Sequence, residues 1–557
     1  MTRVADYVAN YLSNLGVKNV FLLSGTGSVH LDDAFAFQEG MNHICARHEA
    51  AAVFMAEAAS KLTGTIGVVI ATTGPGGTNA ISGIVEAWVD STPVLVISGQ
   101  VNSYQVSEGV RSFGVQGFNI IENVENITKY STQVTEPESI RFHLEKAIHE
   151  AFSGRPGPVW LDIPFDVQAS MINPEDLKGY VPEVCSDESN YDLETIKEIL
   201  IKFQKPLVIF GQGIRTSDSI NEFKEFLNLY KTPSISSRMS LDILPYTHPY
   251  YFGLGGMRGH KAPAYLMREA DLILILGSSF THAYAGSEYE FFNQNAKTIM
   301  VNIDASEIYK PGLNIDYPIE LDLKDFFKIM NKNSNLEIQG RSSWLDRCRS
   351  LHQDNPTVDK SLAKNPINSY YFVECLNNVT NDKHIFVNDA GSSNYISSQA
   401  LKLEEGQREI TSGAFYSMGL ALPLAIGAAV TQPDSQVIAI TGDGSIELNI
   451  QELRTLSQNN LDVKLFIINN GGYASIRKSQ DEIVGGGRYT DDEEVLNFKN
   501  VAEAFELQFE ILDDFETLTS SIEQVLSKKG PVLIEVVCDS RQEIIEPFNS
   551  KFLVDCT

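Results

Sequence analysis

The chain has 557 residues, 43% of them apolar and 21% charged, and its 72 acidic against 43 basic side chains leave a net charge of −29. That length exceeds one hydrophobic core and implies two to four domains. The acidity repels phosphate backbones and anionic lipid, and no apolar run reaches the ~18 residues that span a bilayer, so neither nucleic acid nor membrane is an expected partner.

In chain order, the opening "MTRVADYVANYLSNLGVKNVFLL" carries charges where a signal peptide needs an uninterrupted apolar stretch. Six cysteines (Cys45, Cys185, Cys348, Cys375, Cys538, Cys556) show no CxxC spacing and point to neither zinc nor a disulfide framework. A reducing cytoplasm is the expected compartment. Short Val/Ile/Leu runs then recur, each closed by Gly, Ser or Asp: "IGVVIATTGPGG", "TPVLVISGQ", "PLVIFGQG", "DLILILGSS", "TIMVNID", "HIFVNDAG", "QVIAITGDG", "VKLFIINN" and "PVLIEVV". Apolar runs without alternation predict strands covered on both faces, and the amphipathic stretches between them predict parallel crossovers. The rhythm breaks at 173–192 and at 331–340, where Pro, charge and lost periodicity predict linkers. The expected fold is α/β, with three doubly wound parallel-sheet domains at 1–170, 190–330 and 360–557. Their similar size hints at an old duplication.

The segment "GDGSIELNIQELRTLSQNNLDVKLFIINN" (442–470) carries the first chemistry. "QVIAI" and "VKLFII" read as neighbouring parallel strands, with a helix through Ile446, Leu448, Ile450, Leu453 and Leu456 between them. A right-handed crossover brings both strand ends to one edge, so Asp443 and Asn470 converge. Helix N-termini and ligands share that edge. A carboxylate, an amide oxygen and the main-chain carbonyl of Gly472 form a hard oxygen set suited to Mg²⁺, with Gly442, Gly444 and Ser445 leading into the helix. GDG alone, or NN alone, is an ordinary turn; the pair at this spacing is read as a metal-bridged diphosphate site.

GDG followed by NN resembles the thiamine diphosphate signature, and "RHEAAAVFMAEAASKLTG" with "TTGPGGTNAISGIVEAWVDSTPVLVISGQ" resembles the acetohydroxyacid (acetolactate) synthase branch of that family. The likeness covers nearly the whole chain and implies pyrimidine-binding, central Rossmann-like and diphosphate-binding domains. It implies thiamine diphosphate and Mg²⁺ as cofactors, the ion held by Asp443, Asn470 and Gly472, and the phosphates met by Gly391, Ser392 and Ser393. It implies Glu49 as the acid beside the aminopyrimidine ring, donated across a homodimer or a tetramer built from dimers. Met418 matches the residue beneath the two rings, the alternative being a core methionine. Gln116 and Gly25 flank the reacting carbonyl, with a surface turn as the competing reading of Gln116. Pro75 and Asn79 shape the pyrimidine pocket or merely pack a tight turn. His48 is given no role.

The implied reaction removes carbon dioxide from pyruvate or a similar 2-oxo acid and passes the acyl unit to a carbonyl acceptor. Acetolactate-forming members carry a tryptophan about nine residues after NN, where this chain has Ser479. "GGYASIRKSQ" is closer to thiamine enzymes that act on keto-sugar nucleotides, which offers Tyr473 and Arg477 as acceptor contacts, or else as exposed helix residues. FAD is a further candidate cofactor, through Gly211, Gly213, Gly256, Gly259 and Asp304, although the arginines expected after "ILG" are missing and a lone GxG is weak. A second 2-oxo acid as acceptor, simple decarboxylation or lyase chemistry, and a non-catalytic thiamine-binding scaffold are the alternatives.

Overall fold

The computed structural model describes residues 1–107, 109–183, 191–286, 289, 292, 295–332, 338, 340–485 and 495–547. Cys185, Cys556 and parts of both expected linkers lie outside the described residues. Three six-stranded sheets organise the chain, and every neighbouring pair within them is parallel. The expected α/β class with three parallel sheets is what is found.

Across the first sheet the strands run Asn42–Cys45, Asn19–Leu22, Gly67–Ala71, Val94–Gln100, Val159–Pro164, Tyr130–Gln133. Across the third they run Arg408–Ile410, His384–Asn388, Gln436–Gly442, Val463–Asn469, Val532–Val537, Gln508–Leu512. Numbered within its own sheet, each reads 2-1-3-4-6-5. The central sheet, Tyr251–Leu254, Ser234–Ser236, Pro206–Phe210, Leu272–Leu276, Lys297–Asn302, Tyr317–Glu320, reads 3-2-1-4-5-6. The likeness among the three units is thus a likeness of two, with the central unit built differently. In all three the chain reverses its direction of travel across the sheet beside the first strand, which opens a crevice at the carboxyl ends.

The helices Glu49–Thr63 and Ala421–Thr431 explain how the first and third domains meet. "EAAAVFMAEAAS" is buried on every side, and so is most of "ALPLAIGAAVT"; a helix apolar all round belongs inside a core. Small side chains let the two backbones touch: a Cβ built on Gly427 would stand 2.2 Å from the Met55 carbonyl oxygen. One hydrophobic cluster accordingly runs from Phe21 to Leu533 across both domains.

One local expectation needs correction. The stretch after Gly442 is not one helix but three pieces, an α-turn at Asp443–Ile446, a 3-10 turn at Glu447–Asn449 and an α-helix at Glu452–Gln458. The tighter middle turn shifts the phase of the apolar face, so Leu448 is 52% exposed while Ile446, Leu453 and Leu456 are buried. Beyond 331–340, the helix Ser342–Asp354 belongs with the central unit, where Trp344 Nε1 donates to the Pro206 carbonyl at 2.9 Å. Among the described residues no helix is long and apolar enough to cross a membrane.

Candidate active site

The crevice of the third sheet opens between His384–Asn388 and Gln436–Gly442. Asp443 leaves the second of these strands and Asn470 leaves its neighbour, and the register pairs Gly442 with Ile468. The convergence expected from the crossover is realised. One Asp443 carboxylate oxygen accepts the main-chain N–H groups of Asn470 (3.1 Å) and Gly472 (2.9 Å), and the other accepts that of Gly444 (2.9 Å). Burial lifts the Asp443 carboxyl above the ordinary carboxylate value against the pull of those donors. Asn470 Nδ2 donates to Ser392 Oγ at 3.2 Å, which joins the first strand's loop to the cluster. The Gly472 carbonyl accepts the Ala474 N–H at 2.8 Å and keeps a second lone pair.

Glycine is required at two places here. Gly391, first residue of the helix Gly391–Ala400, has φ +67°, and only Ser475 Oγ, at 3.9 Å, approaches the place of a Cβ. At Gly444 a Cβ would lie 2.9 Å from Tyr473 Cε1, so Tyr473 packs its ring on the GDG turn. Ser393 Oγ donates to the Ala390 carbonyl at 2.9 Å. Ser445 serves as a strut, donating to Asp389 (2.7 Å) and accepting the Gly419 N–H (2.8 Å). The half-buried Met418 precedes that glycine. Arg477 donates to the carbonyls of Asn470, at 3.0 Å, and Gly471, and so braces the NN loop.

A second crevice, in the first sheet, gathers the remaining candidates. Glu49 opens the helix Glu49–Thr63 and is buried, and Asn79 Nδ2 donates to its carboxylate at 3.0 Å. His48 is the helix cap, accepting the Ala50 N–H at 3.2 Å. Pro75 begins the helix Pro75–Val89, where its fixed φ and missing N–H cost nothing. Gly25 and Gly27 press against Thr72 and Thr73, and Gly74 (φ +62°) against the Gln116 carbonyl, which a Cβ would meet at 2.2 Å. Gln116 itself has φ +62° and an exposed side chain. Glu49, Asn79, Pro75, Gly25 and Gln116 therefore line one crevice, while Asp443, Asn470, Gly472, Ser392 and Gly391 line the other. No hydrogen bond links Glu49 to Asp443, Asn470 or Gly472 within the chain.

Comparison with known proteins settles the lineage. Residues 2–126 match the thiamine pyrophosphate enzyme N-terminal TPP binding domain, 193–330 the central domain and 389–536 the C-terminal TPP binding domain. The acetolactate synthase large subunit of Lactococcus lactis subsp. lactis (strain IL1403) is 32% identical over 564 residues, covering 98% of this chain and 94% of that one. The chain belongs to the acetolactate synthase-like thiamine pyrophosphate enzymes. Acetolactate synthase isozyme 1 large subunit of Escherichia coli (strain K12) is 29% identical over 546 residues (97% and 94% covered). Acetolactate synthase 1, chloroplastic, of Nicotiana tabacum is 30% identical over 558 residues (97% and 82%).

The crevice of the third sheet suits the diphosphate of a thiamine pyrophosphate enzyme. The helix Gly391–Ala400 aims its first N–H groups into it, Gly391 leaves room, and Ser475 Oγ is buried without a hydrogen-bond partner. Among the described residues no three His, Cys, Asp or Glu side chains cluster as a metal site; the oxygen set at Asp443 has one carboxylate, the pattern of an ion that shares its shell with phosphate. Sequence reasoning missed Asp389, buried at the end of the first strand, which holds Thr441 Oγ1 (2.9 Å), Ser445 Oγ and the Ala390 N–H (2.7 Å). It stands in "NDAGSSN", so its position was available as a signal. Asn449, whose Nδ2 holds the Gly419 carbonyl at 2.9 Å, carried no such signal.

Proposed function

We propose that this chain is a thiamine diphosphate- and Mg²⁺-dependent carboligase that removes carbon dioxide from pyruvate or a similar 2-oxo acid and joins the acyl unit to a carbonyl acceptor. The observation that carries this reading is the pair of crevices: a buried acid held by Asn79 in one, and a single-carboxylate oxygen cluster beside a helix N-terminus in the other. Gly391, Ser392, Ser393 and Ser475 would meet the phosphates, and Asp443, Asn470 and the Gly472 carbonyl the ion. When bound, thiamine diphosphate supplies a nucleophilic ring carbon and a sink for the electrons left by decarboxylation. Glu49 would hold a proton at the far nitrogen of the aminopyrimidine ring. Met418 would support the bend between the rings, and Gln116 and Gly25 would border the reacting carbonyl.

The family resemblance implies a homodimer, and we assign the complete site to it, with each Glu49 serving the other subunit's cofactor. For the acceptor we favour a keto-sugar nucleotide or a second 2-oxo acid. Ser479 stands on the helix Ala474–Ile483, where its hydroxyl returns to the Ser475 carbonyl at 3.1 Å, a small side chain at the position where acetolactate-forming members carry a tryptophan. The acetolactate synthase names of the relatives favour the second 2-oxo acid as the alternative.

FAD has a place in the same reading. A cavity of about 1220 Å³ lies at the carboxyl edge of the central sheet, lined by Gly213, Gly277 and Asp304 and by Trp88 and Tyr416 of the other domains. Its guanidinium groups are already engaged, Arg155 with Asp304 (3.1 Å) and Glu307, Arg238 with Glu409 (3.0 Å), and Arg258 with Glu546. A flavin diphosphate would rest on main-chain N–H groups, side-chain hydroxyls or Lys129, or displace a carboxylate.

The test is product analysis with purified protein, thiamine diphosphate, Mg²⁺ and pyruvate, with and without a second 2-oxo acid or a keto-sugar nucleotide. A ligated product is expected. Carbon dioxide with free aldehyde alone would make the chain a decarboxylase. Identification of cofactors released on denaturation decides FAD.

A further inference from the structure

The segment that delivers Met418 is clamped from two sides. On its far side Gly419 (φ +74°) is held by Ser445 Oγ and Asn449 Nδ2, both of the same domain. On its near side the clamp comes from the first domain. Ser412 Oγ donates to one carboxylate oxygen of Glu86, and the Ser417 N–H donates to the other at 3.3 Å. The same Ser412 Oγ accepts the Tyr416 N–H at 2.8 Å, and Tyr416 is a non-glycine residue at φ +56°, a conformation that must be imposed by its surroundings. Beside it Asp90 accepts the Gly413 N–H at 2.9 Å, and Lys61 donates to the Thr411 carbonyl at 2.9 Å. Glu86 is fully buried, so its carboxylate has no function in solvation. It sits seven residues, about 10 Å along a helix, from Asn79, the side chain that holds Glu49.

We propose that Glu86 is a positioning residue which, through Ser412 and Ser417, sets the left-handed turn at Tyr416 and thereby aims the Met418 side chain at the cofactor's rings. This rests on the reading of Met418 as the support beneath those rings. The acid does not touch the cofactor; it acts through the segment 412–417. One helix, Pro75–Val89, then acts on both Glu49, through Asn79 near its start, and the ring support, through Glu86 near its end.

The experiment compares full-length Glu86→Gln, Ser412→Ala and Met418→Ala proteins. In Glu86→Gln one oxygen still accepts from Ser412, but an amide NH₂ faces the Ser417 N–H, so one bond breaks with little change in volume. The readouts are affinity for thiamine diphosphate with Mg²⁺, affinity for Mg-pyrophosphate as a probe of the phosphate end alone, and the near-ultraviolet circular dichroism of the bound cofactor. About a tenfold loss of thiamine diphosphate affinity and an altered dichroic band are expected in Glu86→Gln and Ser412→Ala, with Mg-pyrophosphate affinity unchanged. The double variant should lose less than the sum of the two single ones, since the broken bonds belong to one clamp on the segment 412–417. Equal loss of both affinities, or a lowered melting temperature with normal cofactor affinity and dichroism, would make Glu86 merely structural and overturn the proposal. If Glu86→Gln does not fold, Ser412→Ala carries the same decision. A normal Met418→Ala protein would remove the reading of Met418 and the proposal with it; an impaired Met418→Ala beside normal Glu86→Gln and Ser412→Ala would remove the proposal alone.

Discussion

Glu49 and Asp443 divide the chemistry between two side chains with opposite needs. Glu49 is buried beside one amide donor, so Glu49→Gln preserves volume and the contact with Asn79. Cofactor affinity is expected to stay within a few-fold, while turnover falls by about 10²–10⁴, the usual share of general acid–base catalysis. Calorimetric titration of thiamine diphosphate beside steady-state kinetics separates the two, and unchanged turnover would dismiss Glu49 from the reaction. Asp443 is different, because three main-chain N–H groups converge on it. Asp443→Asn would set an amide donor against those N–H groups, so both metal-dependent cofactor binding and the NN loop should suffer, seen as lost Mg²⁺ stimulation and a lower melting temperature. The positions of these two residues were legible in the sequence, since strand ends and crossover handedness determine them. Asp389 was marked by its place in "NDAGSSN", but Asn449 and Glu86 carried no signal, because their bonds depend on packing between separate segments; Ser412 and Glu86 are 326 residues apart.

At the scale of elements, the unalternating apolar runs identified the strands, and their burial follows from helices on both faces. Period reading failed where a polar side chain intervened. In the stretch after Gly442 an apolar spacing of 3.6 predicted one helix, but Ser445 and Asn449 are drawn to Gly419 and tighten the middle turn. The contact between Glu49–Thr63 and Ala421–Thr431 offers a direct test. Gly427→Ala would push a methyl group into the Met55 carbonyl, an overpacking that costs about 1–3 kcal/mol. Denaturant midpoints should fall without loss of the cofactor site's residues; an unchanged midpoint would mean that the two helices separate easily.

The molecule as a whole is joined by a buried charged cluster. Lys61 bonds Asp90 (2.8 Å) and Glu57 (2.7 Å), with Glu86 close by, while Arg408 donates to the Lys61 carbonyl (3.0 Å) and to Asp242 of the central domain (2.6 Å). Three acids compete for one ammonium. Burial, with Asp90 and Glu86 adding to it, pushes the Glu57 carboxyl up to about 8 against the pull of Lys61, and its second oxygen has no hydrogen-bond partner. Glu57 therefore holds its proton into the neutral range. The unfolded chain gives up that proton near 4.5 and the folded chain near 8, so the native state binds the extra proton between these values. Stability should decline as pH rises through that window and level off above it. Unfolding midpoints between about pH 6 and 8 should slope less in Glu57→Gln; an equal slope would place the proton elsewhere. The dimer is tested by mixing inactive Glu49→Gln and Asp443→Asn chains. Mixed dimers hold one intact site, so activity should return, and its absence would confine each site to a single chain.

The shared core of the first and last domains also has a consequence for biosynthesis. Its alanine-lined first half is translated by residue 63, but the helix that covers it begins at 421, roughly 20–70 s later at ribosomal speeds of about 5–20 residues per second. Through that interval the nascent chain presents a bare oily seam. Chaperone capture during synthesis is the expected outcome, and a truncated first domain expressed alone should aggregate.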